Sequence, residues 1–397
     1  MKDLIKKFIP KFLLKWYHFL LAFSGAVIYG FPSRKMKVIG VTGTNGKSTV
    51  VEMIVRILEA AGPKTGSISS VRFKIGEKVW PNKLKMTMPG RWKIQKFLKE
   101  AANSDCKYVV LEVASEGIKQ YRHKFIDFEA AVFTNLTPEH IEAHGGFENY
   151  KSAKGKLFEA TKKIHVINVE DKNTEYFLSF PAGKKYTYGL NSGNVKNSDL
   201  QFNLKLPGDF NIYNALAATC VGLSQGVSLE TCKKAIENIE GIPGRMELVI
   251  QEPFKVFVDY AFTPNALEQV YKTLKPQNAK MICVLGACGG GRDKWKRPIL
   301  GEIAARLCDS VIVTNEDPYD EKPLEIIEQV ASGAKGKAEK ILDRREAIKE
   351  SLESARPADV VVITGKGSEP WIMESKGRKI PWDDRNVVRE EFQKLNR

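Results

Sequence analysis

The stretch Met36-Lys-Val-Ile-Gly-Val-Thr-Gly-Thr-Asn-Gly-Lys-Ser-Thr49 decides the fold. Its first half is an apolar, β-branched run that is typical of a buried strand. Its second half is rich in glycine and leads into the amphipathic residues 48–61. A strand, a glycine loop and a helix in this order can cradle a phosphate group, because backbone N–H groups and the helix N-terminus face the anion. The strict phosphate-loop spacing wants glycine at position 41, whereas this chain has Val41 and its first glycine, Gly40, comes one residue early.

Strand and helix patterns alternate on both sides of this loop. Short apolar runs such as 107–113 and 130–133 are separated by amphipathic stretches such as 147–162. This alternation predicts a mostly parallel sheet that is covered by helices on both faces. The turn-rich residues 240–244 end the first series, and a second α/β series begins behind them.

We therefore expect an α/β protein with three parts. A basic and apolar helical segment spans residues 1–35, a central doubly wound domain of the P-loop ATPase type spans 36–242, and a C-terminal Rossmann-like α/β domain spans 243–397.

The amino-acid composition indicates which classes of protein fit this chain. The chain has 397 residues, 43% of them hydrophobic, which is enough for two domains with buried cores. Its six cysteines are scattered without a CxxC pair, so we expect buried thiols in a reducing compartment rather than a zinc site or disulfides. A net charge of +15 suits anionic partners, but no motif that reads RNA or DNA accompanies it, and we expect no nucleic-acid partner.

The amino-terminal segment is both basic and apolar. Residues 1–37 hold eight lysines and arginines against Asp3 alone, and residues 19–31 form an apolar run. Lys15 and His18 shorten this run below the length that spans a membrane. We expect helices docked on the body of a cytoplasmic protein, with a membrane-surface anchor as one alternative and a membrane span or signal peptide as another.

Several polar residues follow the strands of the first series. Lys47 can reach terminal phosphates and the Ser48 hydroxyl can ligate Mg²⁺. Glu112 and His140 each follow a strand, and the carboxyl ends of parallel strands meet at one edge of a sheet, where these side chains could hold Mg²⁺. Lys154 lies among other lysines on a predicted helix, and taken alone it fits a solvated basic face.

The second series offers further candidates. Arg245 could reach phosphates, and Asp259 ends a strand where it could accept a hydrogen bond from a ribose hydroxyl. The glycine-rich residues 286–291 lead to Arg292, and residues 364–369 form another loop at a strand end. Glycine clusters of this kind are singly most often turns.

Taken together, these motifs resemble the Mur ligases, in particular the branch of UDP-N-acetylmuramoyl-dipeptide–amino-acid ligases, or UDP-N-acetylmuramyl-tripeptide synthetases. The match runs in order from about residue 36 to the C-terminus. It is carried by Gly43-Thr-Asn-Gly-Lys-Ser48, Thr87-Met-Pro-Gly90, Glu112-Val-Ala-Ser115, Phe133-Thr-Asn135, His140, Glu148-Asn-Tyr-Lys-Ser-Ala-Lys154, Phe210-Asn-Ile-Tyr-Asn-Ala215, Pro243-Gly-Arg-Met-Glu247, Asp259-Tyr-Ala261, residues 289–296, Asp317-Pro318 and Asp383-Asp-Arg385.

The resemblance implies an ATP-dependent acid–amino-acid ligase (EC 6.3.2 type) in peptidoglycan precursor synthesis, and hence in cell-wall biogenesis, cell shape and cell division. It implies ATP and two Mg²⁺ ions as cofactors. A nucleotide-sugar peptide and an amino acid would be its small-molecule substrates. The substrate carboxylate would attack the γ-phosphate of ATP to give an acyl phosphate, which the amine of the amino acid then attacks.

The resemblance also implies site residues. The catalytic ones are Lys47, Lys154, His140 and Arg245. Those that bind the nucleotide are Gly43, Thr44, Asn45, Gly46, Lys47, Ser48, Thr49, Asn211, Asn214, Arg245 and Asp259. The metal ligands are Ser48, Glu112, His140 and Lys154, the last as a carbamate. The substrate contacts are Thr87, Ser115, Arg292, Asp317, Gly365 and Glu369.

The chain departs from the family pattern in places. Residues 1–35 stand where the family has a larger UDP-binding domain, so either UDP recognition is lost or the basic N-terminal helices recognise UDP. The Asp-Asn-Pro-Arg motif of the diaminopimelate enzymes reads Glu316-Asp-Pro-Tyr319, the histidine of Asp-Tyr-Ala-His reads Phe262, and Gly-His-Glu reads Gly367-Ser-Glu369. Without the arginine, the distal carboxylate of diaminopimelate loses its bidentate partner, so we do not expect that amino acid.

Two alternatives remain at this stage. One is a related ligase that acts on another carboxylate, of the folylpolyglutamate or cyanophycin type. The other is a nucleotide-binding scaffold at the membrane that does not ligate.

Overall fold

The computed structural model describes residues 10–84 and 86–395, without the side chains of Lys11 and Phe12. These residues form two compact units. The first comprises the described residues up to Leu136, together with Glu148–Leu204 and Asn211–Asn238. The second comprises Thr137–Phe147, Lys205–Phe210 and the described residues from Ile239 onward. The continuous domain ranges that the sequence suggests stay a prediction.

The helices of the described residues alternate with strands over most of the chain. In chain order they are α1 Lys11–Ile28, α2 Lys47–Ala60, α3 Arg91–Asn103, α4 Ser115–Lys119, α5 Ile141–His144, α6 Phe147–Ala160, α7 Thr174–Leu178, α8 Asn197–Leu200, α9 Asp209–Ser224, α10 Leu229–Glu237, α11 Pro264–Leu274, α12 Lys296–Leu307, α13 Pro323–Gly333, α14 Arg344–Glu353 and α15 Asp384–Leu395. Short 3₁₀ turns lie at Pro32–Lys35 and Ser375–Gly377.

One sheet runs through the first unit, and nine strands of the described residues form it. They are β1 Lys37–Thr42, β2 Thr65–Ile68, β3 Arg72–Ile75, β4 Lys78–Pro81, β5 Tyr108–Glu112, β6 Phe128–Phe133, β7 Ile164–Asn168, β8 Lys184–Gly189 and β9 Val195–Lys196. Their order across the sheet is β4-β3-β2-β5-β1-β6-β7-β8-β9. Every neighbouring pair is parallel except β2–β3 and β3–β4, which form an antiparallel edge.

The middle of this sheet positions the candidate site. Strand β1 lies between β5 and β6, and all three are almost wholly buried, as expected for parallel strands covered on both faces. In the register, Val41 lies beside Glu112 and Thr42 lies beside Phe133. The carboxyl ends of the three strands therefore reach the same edge of the sheet, and the loops that follow them start side by side.

A second sheet organises the second unit. Its strands within the described residues are β10 Glu247–Ile250, β11 Lys255–Val258, β12 Met281–Leu285, β13 Ser310–Thr314, β14 Ala338–Ile341 and β15 Val360–Ile363, in the order β10-β11-β15-β12-β13-β14. Only β10 pairs antiparallel. A separate hairpin joins β16 Trp371–Met373 to β17 Lys379–Pro381.

Apolar side chains fill both faces of the second sheet. On one face, Leu267, Leu300 and Ile326 of α11, α12 and α13 belong to one buried cluster. On the other, Ile348 and Val388 of α14 and α15 belong to a second cluster. Two sheets covered by helices, one in each unit, confirm the predicted α/β class.

Helix α1 packs on α3 within the first unit. The small residues Ala22, Gly25 and Ala26 are buried, and a Cβ at Gly25 would lie 3.2 Å from the Trp92 ring. This agrees with the expectation of a docked helix, although residues 1–9 of the predicted segment lie outside the described residues. Among the described residues, no helix combines the length and apolar character needed to cross a bilayer.

The cysteines are free thiols. Cys288 is half-buried and the other five are buried. The expectation of buried thiols therefore holds, with Cys288 as the more accessible one.

Candidate active site

The loop between β1 and α2 depends on two glycines. Gly43 and Gly46 have φ values of +151° and +82°, which favour glycine. A Cβ at Gly43 would overlap the Thr134 hydroxyl, and one at Gly46 would overlap the Asn214 side chain. Both positions therefore require glycine for space as well as for backbone conformation.

Residues after β6 hold this loop in place. The Thr44 N–H donates to the Asn135 carbonyl oxygen at 2.9 Å, and the Asn45 N–H donates to the Asn135 side chain at 2.9 Å. The Lys47 ammonium lies back on its own loop and donates to the Thr44 carbonyl oxygen at 2.7 Å. The loop ends at the N-terminus of α2, where the direction of the backbone N–H groups and the helix dipole favour an anion.

Two candidate metal ligands lie in direct contact. The Ser48 hydroxyl donates to Glu112 Oε2 at 2.8 Å, and the Glu112 side chain is buried. A hydroxyl and a carboxylate are oxygen donors of the kind that Mg²⁺ prefers, so this pair fits a Mg²⁺ ion beside a bound phosphate.

Ser70 holds the Glu112 carboxylate from the other side. The Ser70 N–H donates to Oε2 at 2.7 Å, and its hydroxyl donates to Oε1 at 3.0 Å. The Ser70 hydroxyl also lies 2.9 Å from the Thr87 hydroxyl, so a predicted substrate contact and a predicted metal ligand share one neighbour. Sequence reasoning missed Ser70, because no pattern in the chain links it to Glu112.

Lys154 is buried within the same group. Its side chain is only 2% exposed, and its Nζ donates to the Gly43 carbonyl oxygen at 2.7 Å and lies 4.6 Å from the centre of the Tyr150 ring. The alternative of a solvated basic face is therefore wrong for this lysine. Burial, and secondly the nearby Lys47 charge, lower the pKa of Lys154 well below its usual value, although Glu112 opposes the shift. A lowered pKa favours the neutral amine, which is the nucleophilic form of a lysine.

The predicted nucleotide contacts of α9 also adjoin the loop. Asn211 and Asn214 are buried, and the Asn214 amide donates to Asn211 Oδ1 at 3.0 Å. Thr49 and Ser115 are likewise buried, in the first turns of α2 and α4. The first unit thus brings the loop residues, Thr49, Glu112, Lys154 and both asparagines to one end of its sheet, while the adenine contact stays a prediction.

His140 belongs to the second unit, whereas Ser48, Glu112 and Lys154 belong to the first. The segment that carries His140 is bound to its unit by two side chains. The buried Lys296 ammonium donates to Glu139 Oε1 at 2.7 Å, and Asp293 accepts from the Ile141 N–H at 3.1 Å. Burial raises the pKa of Glu139, with the Lys296 charge opposing the shift. Ligation of a metal by His140 stays a prediction.

Asp259 shapes the turn around Arg245. Its buried carboxylate accepts from the Met246 N–H at 2.7 Å and from the Ala261 N–H at 2.6 Å. Burial raises the pKa of Asp259, and the Arg245 charge opposes this shift. The Arg245 guanidinium lies 4.5 Å from the centre of the Tyr260 ring. The two predicted nucleotide contacts are therefore neighbours, and Asp259 already bonds two backbone groups.

Three of the predicted substrate residues meet at the end of β15. The buried Lys366 ammonium donates to Asp317 Oδ1 at 2.8 Å and to Glu369 Oε2 at 2.7 Å. Gly365 has φ +105°, and a Cβ there would overlap the Glu316 carboxylate. Burial opposes charge on Lys366, but the Glu369 and Asp317 carboxylates outweigh it and raise the pKa of the ammonium.

Two members of this cluster were missed from the sequence, namely Lys366 and Glu316. Cys288 Sγ lies 2.8 Å from Glu316 Oε1, and Glu316 Oε2 is buried with no hydrogen-bond partner among the described residues. Burial, and secondly the Asp317 charge, raise the pKa of Glu316. Arg292 follows the glycine-rich turn, and its backbone N–H donates to the Gly289 carbonyl oxygen at 3.4 Å.

Two family models match the chain. The Mur ligase middle domain matches residues 41–222, and the Mur ligase, glutamate ligase domain matches residues 244–367.

Relatives with similar sequences match most of the chain. It is 36% identical to the UDP-N-acetylmuramyl-tripeptide synthetase of Roseiflexus sp. (strain RS-1), with 94% of this chain and 82% of the relative covered. It is 37% identical to the UDP-N-acetylmuramoyl-L-alanyl-D-glutamate--2,6-diaminopimelate ligase of Aquifex aeolicus (strain VF5), with 92% and 80% covered.

Solved structures extend the comparison. A UDP-N-acetylmuramoyl-L-alanyl-D-glutamate--2,6-diaminopimelate ligase matches with a TM-score of 0.60 and 30% identity over 91% of this chain and 79% of that one. The folylpolyglutamate synthase of Mycobacterium tuberculosis, complexed with ADP and AMPPCP, matches with a TM-score of 0.70 over 87% of this chain and 92% of that one. Its identity is 17%, so this likeness shows the fold alone.

Proposed function

Because this chain belongs to the Mur ligase family and is an ATP-dependent ligase that forms amide bonds, we propose that it joins a UDP-N-acetylmuramoyl peptide to an amino acid in peptidoglycan precursor synthesis. The observation that carries the proposal is the contact of the glycine loop with Lys154 and of Ser48 with Glu112 in the first unit. The carboxylate of the muramoyl peptide and the amine of the amino acid are the groups to be joined.

The first unit would bind the phosphate groups of ATP. Backbone N–H groups of residues 43–48 would donate hydrogen bonds to the phosphate oxygens of ATP. The Lys47 ammonium would leave the Thr44 carbonyl oxygen and bind the terminal phosphate. When bound, Mg²⁺ supplies positive charge that stabilises the transferring phosphoryl group. Ser48 and Glu112 would hold this ion, while Thr49, Asn211 and Asn214 would contact the nucleotide.

We propose that the Lys154 side chain is carbamylated. Its neutral amine would add CO₂ and release one proton, which leaves an anionic oxygen ligand on the side chain. That ligand would serve a second Mg²⁺ ion, with His140 as a further ligand. The lowered pKa and the place beside Gly43 support this chemistry, because a protonated amine could not attack CO₂.

The remaining predicted residues have roles in substrate binding. Thr87 and Ser115 would contact the muramoyl peptide, and Arg245 and Asp259 the nucleotide. The incoming amino acid would meet Arg292, Asp317, Gly365 and Glu369, of which the last three lie together. Tyr319 stands where a bidentate arginine would bind the distal carboxylate of diaminopimelate, so this chain uses a different amino acid.

We also propose where in the cell the enzyme works. The enzyme works in the cytoplasm, where ATP is available, and residues 1–35 make peripheral contact with a membrane.

Phosphate release tests this function. The purified protein is supplied with ATP, Mg²⁺, UDP-N-acetylmuramoyl dipeptide and a panel of amino acids, each component being omitted in turn. Release that requires both the dipeptide and one amino acid supports the proposal. Release with a folate or another carboxylate in place of the dipeptide would assign the chain to a different substrate. ATP binding without release for any combination would mean a scaffold that does not ligate.

A further inference from the structure

Helix α1 has its large side chains on the outside and its small ones on the inside. Ala22 and Ala26 are buried, whereas six large apolar residues are about half exposed. The exposed fractions are 47% for Leu13, 61% for Trp16, 56% for Tyr17, 55% for Leu20, 49% for Val27 and 58% for Ile28. A helix on the surface of a water-soluble body normally shows the opposite pattern, with its polar face outward.

The exposed residues form one continuous surface. At 100° per residue they fall within about half of the helix circumference, and the 18 residues of α1 extend about 27 Å. Trp92 of α3, which is 43% exposed, lies beside α1. We call these seven residues the aromatic face. A patch of this length on one side of a protein marks an interaction site rather than scattered surface residues.

The contacts of α1 with its own unit prevent the helix from turning this face inward. The Trp92 indole N–H donates to the Ser24 hydroxyl at 3.1 Å, and a Cβ at Gly25 would lie 3.2 Å from the same ring. The rings of Phe19 and Phe23 lie 5.2 and 5.4 Å from that of Phe125. The small face is therefore fixed on the unit, and the aromatic face stays outward.

Positive charge accompanies the aromatic face. None of the residues of α1 is acidic. Lys15 of α1 lies on the side of the helix away from the aromatic face, but the exposed Lys93 and Lys124 adjoin Trp92 and Phe125 in sequence. A partner for this surface must therefore accept apolar and aromatic side chains and supply negative charge.

We propose that the aromatic face binds the surface of a membrane that contains anionic lipids. Tryptophan and tyrosine favour the boundary between headgroups and acyl chains, because their rings are apolar and their N–H and O–H groups stay hydrated. Helices with aromatic residues on one face and lysines around it lie in the plane of this boundary, and each lysine adds attraction to anionic headgroups. This surface would hold the ligase at the membrane whatever carboxylate it uses.

A second copy of the chain fits the surface less well. A symmetric dimer through α1 would bring Lys93 and Lys124 of both copies together, and their repulsion opposes association. Anionic lipid neutralises the same charge.

Vesicle sedimentation of the full-length protein tests the proposal. Vesicles of phosphatidylglycerol mixed with phosphatidylcholine are compared with vesicles of phosphatidylcholine alone, at low and high salt. The wild type should bind the anionic vesicles and release at high salt. The double substitution Trp16→Ser with Leu20→Ser should reduce binding roughly tenfold or more, and Lys93→Gln roughly fivefold. Leu324→Ser is the matched control, since Leu324 is 59% exposed on α13, and it should change nothing.

Other outcomes would overturn the proposal. These are binding that Trp16→Ser with Leu20→Ser leaves unchanged, equal binding to neutral vesicles, or no binding by the wild type. Sedimentation velocity of the same proteins would identify a dimer if the wild type associates and the double variant does not. Phosphate release by the double variant separates the two proposals, because loss of membrane binding with full ligase activity leaves the function intact.

Discussion

The Nζ atom of Lys154 lies 2.7 Å from the carbonyl oxygen of Gly43, the first glycine of the loop that follows β1. A lysine from α6 is thus placed inside the phosphate loop, with its side chain 2% exposed. At this position a protonated amine would be a buried charge beside Lys47, whereas a carbamate would be an anion at the place that we propose for a metal ion. The chemical state of Lys154 therefore decides what the loop can hold.

Lys154→Ala is expected to reduce ligase turnover roughly a hundredfold, because it removes the proposed metal ligand. Formate or acetate should restore part of the rate by supplying the missing carboxylate. Lys154→Arg should stay inactive with these acids, since the guanidinium fills the site and does not form a carbamate. Full activity of Lys154→Ala without added acid would mean that Lys154 is not a ligand.

The stability of the apo-protein in CO₂-free buffer should depend on pH through Lys154. The pKa of Lys154 in the folded state lies well below its value in the unfolded state. At a pH between these two pKa values the unfolded state binds more protons, so the free energy of unfolding rises with pH. Lys154→Met removes this dependence. The Tm of the variant minus the Tm of the wild type should therefore fall by a few degrees from pH 7 to pH 10, since 1 kcal/mol corresponds to about 2–4 °C. A Tm difference that is constant over this range would contradict a lowered pKa of Lys154. Lys162→Met, at an exposed lysine, is the control.

Ser70→Ala is expected to raise the Mg²⁺ concentration needed for half-maximal rate by roughly ten- to a hundredfold, because the Ser70 hydroxyl orients the Glu112 carboxylate. Ser70→Thr keeps the hydroxyl and should restore the Mg²⁺ dependence. A loss of rate that no Mg²⁺ concentration recovers, with Ser70→Thr equally affected, would indicate a structural role alone.

Tyr319→Arg is expected to increase kcat/KM for diaminopimelate roughly ten- to a hundredfold, through a charge-assisted pair with the distal carboxylate. The rate with the amino acid that the wild type prefers should not rise. A wild type that already prefers diaminopimelate would show that Tyr319 does not select against it.

The sequence predicted the features that depend on neighbouring residues. The strand, loop and helix of residues 36–61 could be recognised because apolar periodicity and the glycines of the loop are local signals. Glu112 could be placed beside them, since parallel strands end at the same edge of a sheet.

Features that depend on long-range contacts were missed. Ser70 meets Glu112 across 42 residues, and Lys296 meets Glu139 across 157. The antiparallel edge of β3 and β4 was also missed. Lys154 looked like one of several solvated lysines of α6, because burial of a single lysine depends on the tertiary neighbours of the helix and leaves no mark in its periodicity.

The most direct test of amide-bond formation is the stoichiometry of one reaction measured by mass spectrometry. With ATP, Mg²⁺, UDP-N-acetylmuramoyl dipeptide and the accepted amino acid, the product should have the summed mass of the two substrates less one water, with one ADP and one phosphate for each product. Lys47→Ala should abolish the product and Lys162→Ala should not. ADP formation with no product of that mass, or a normal yield from Lys47→Ala, would contradict a ligase that works at this loop.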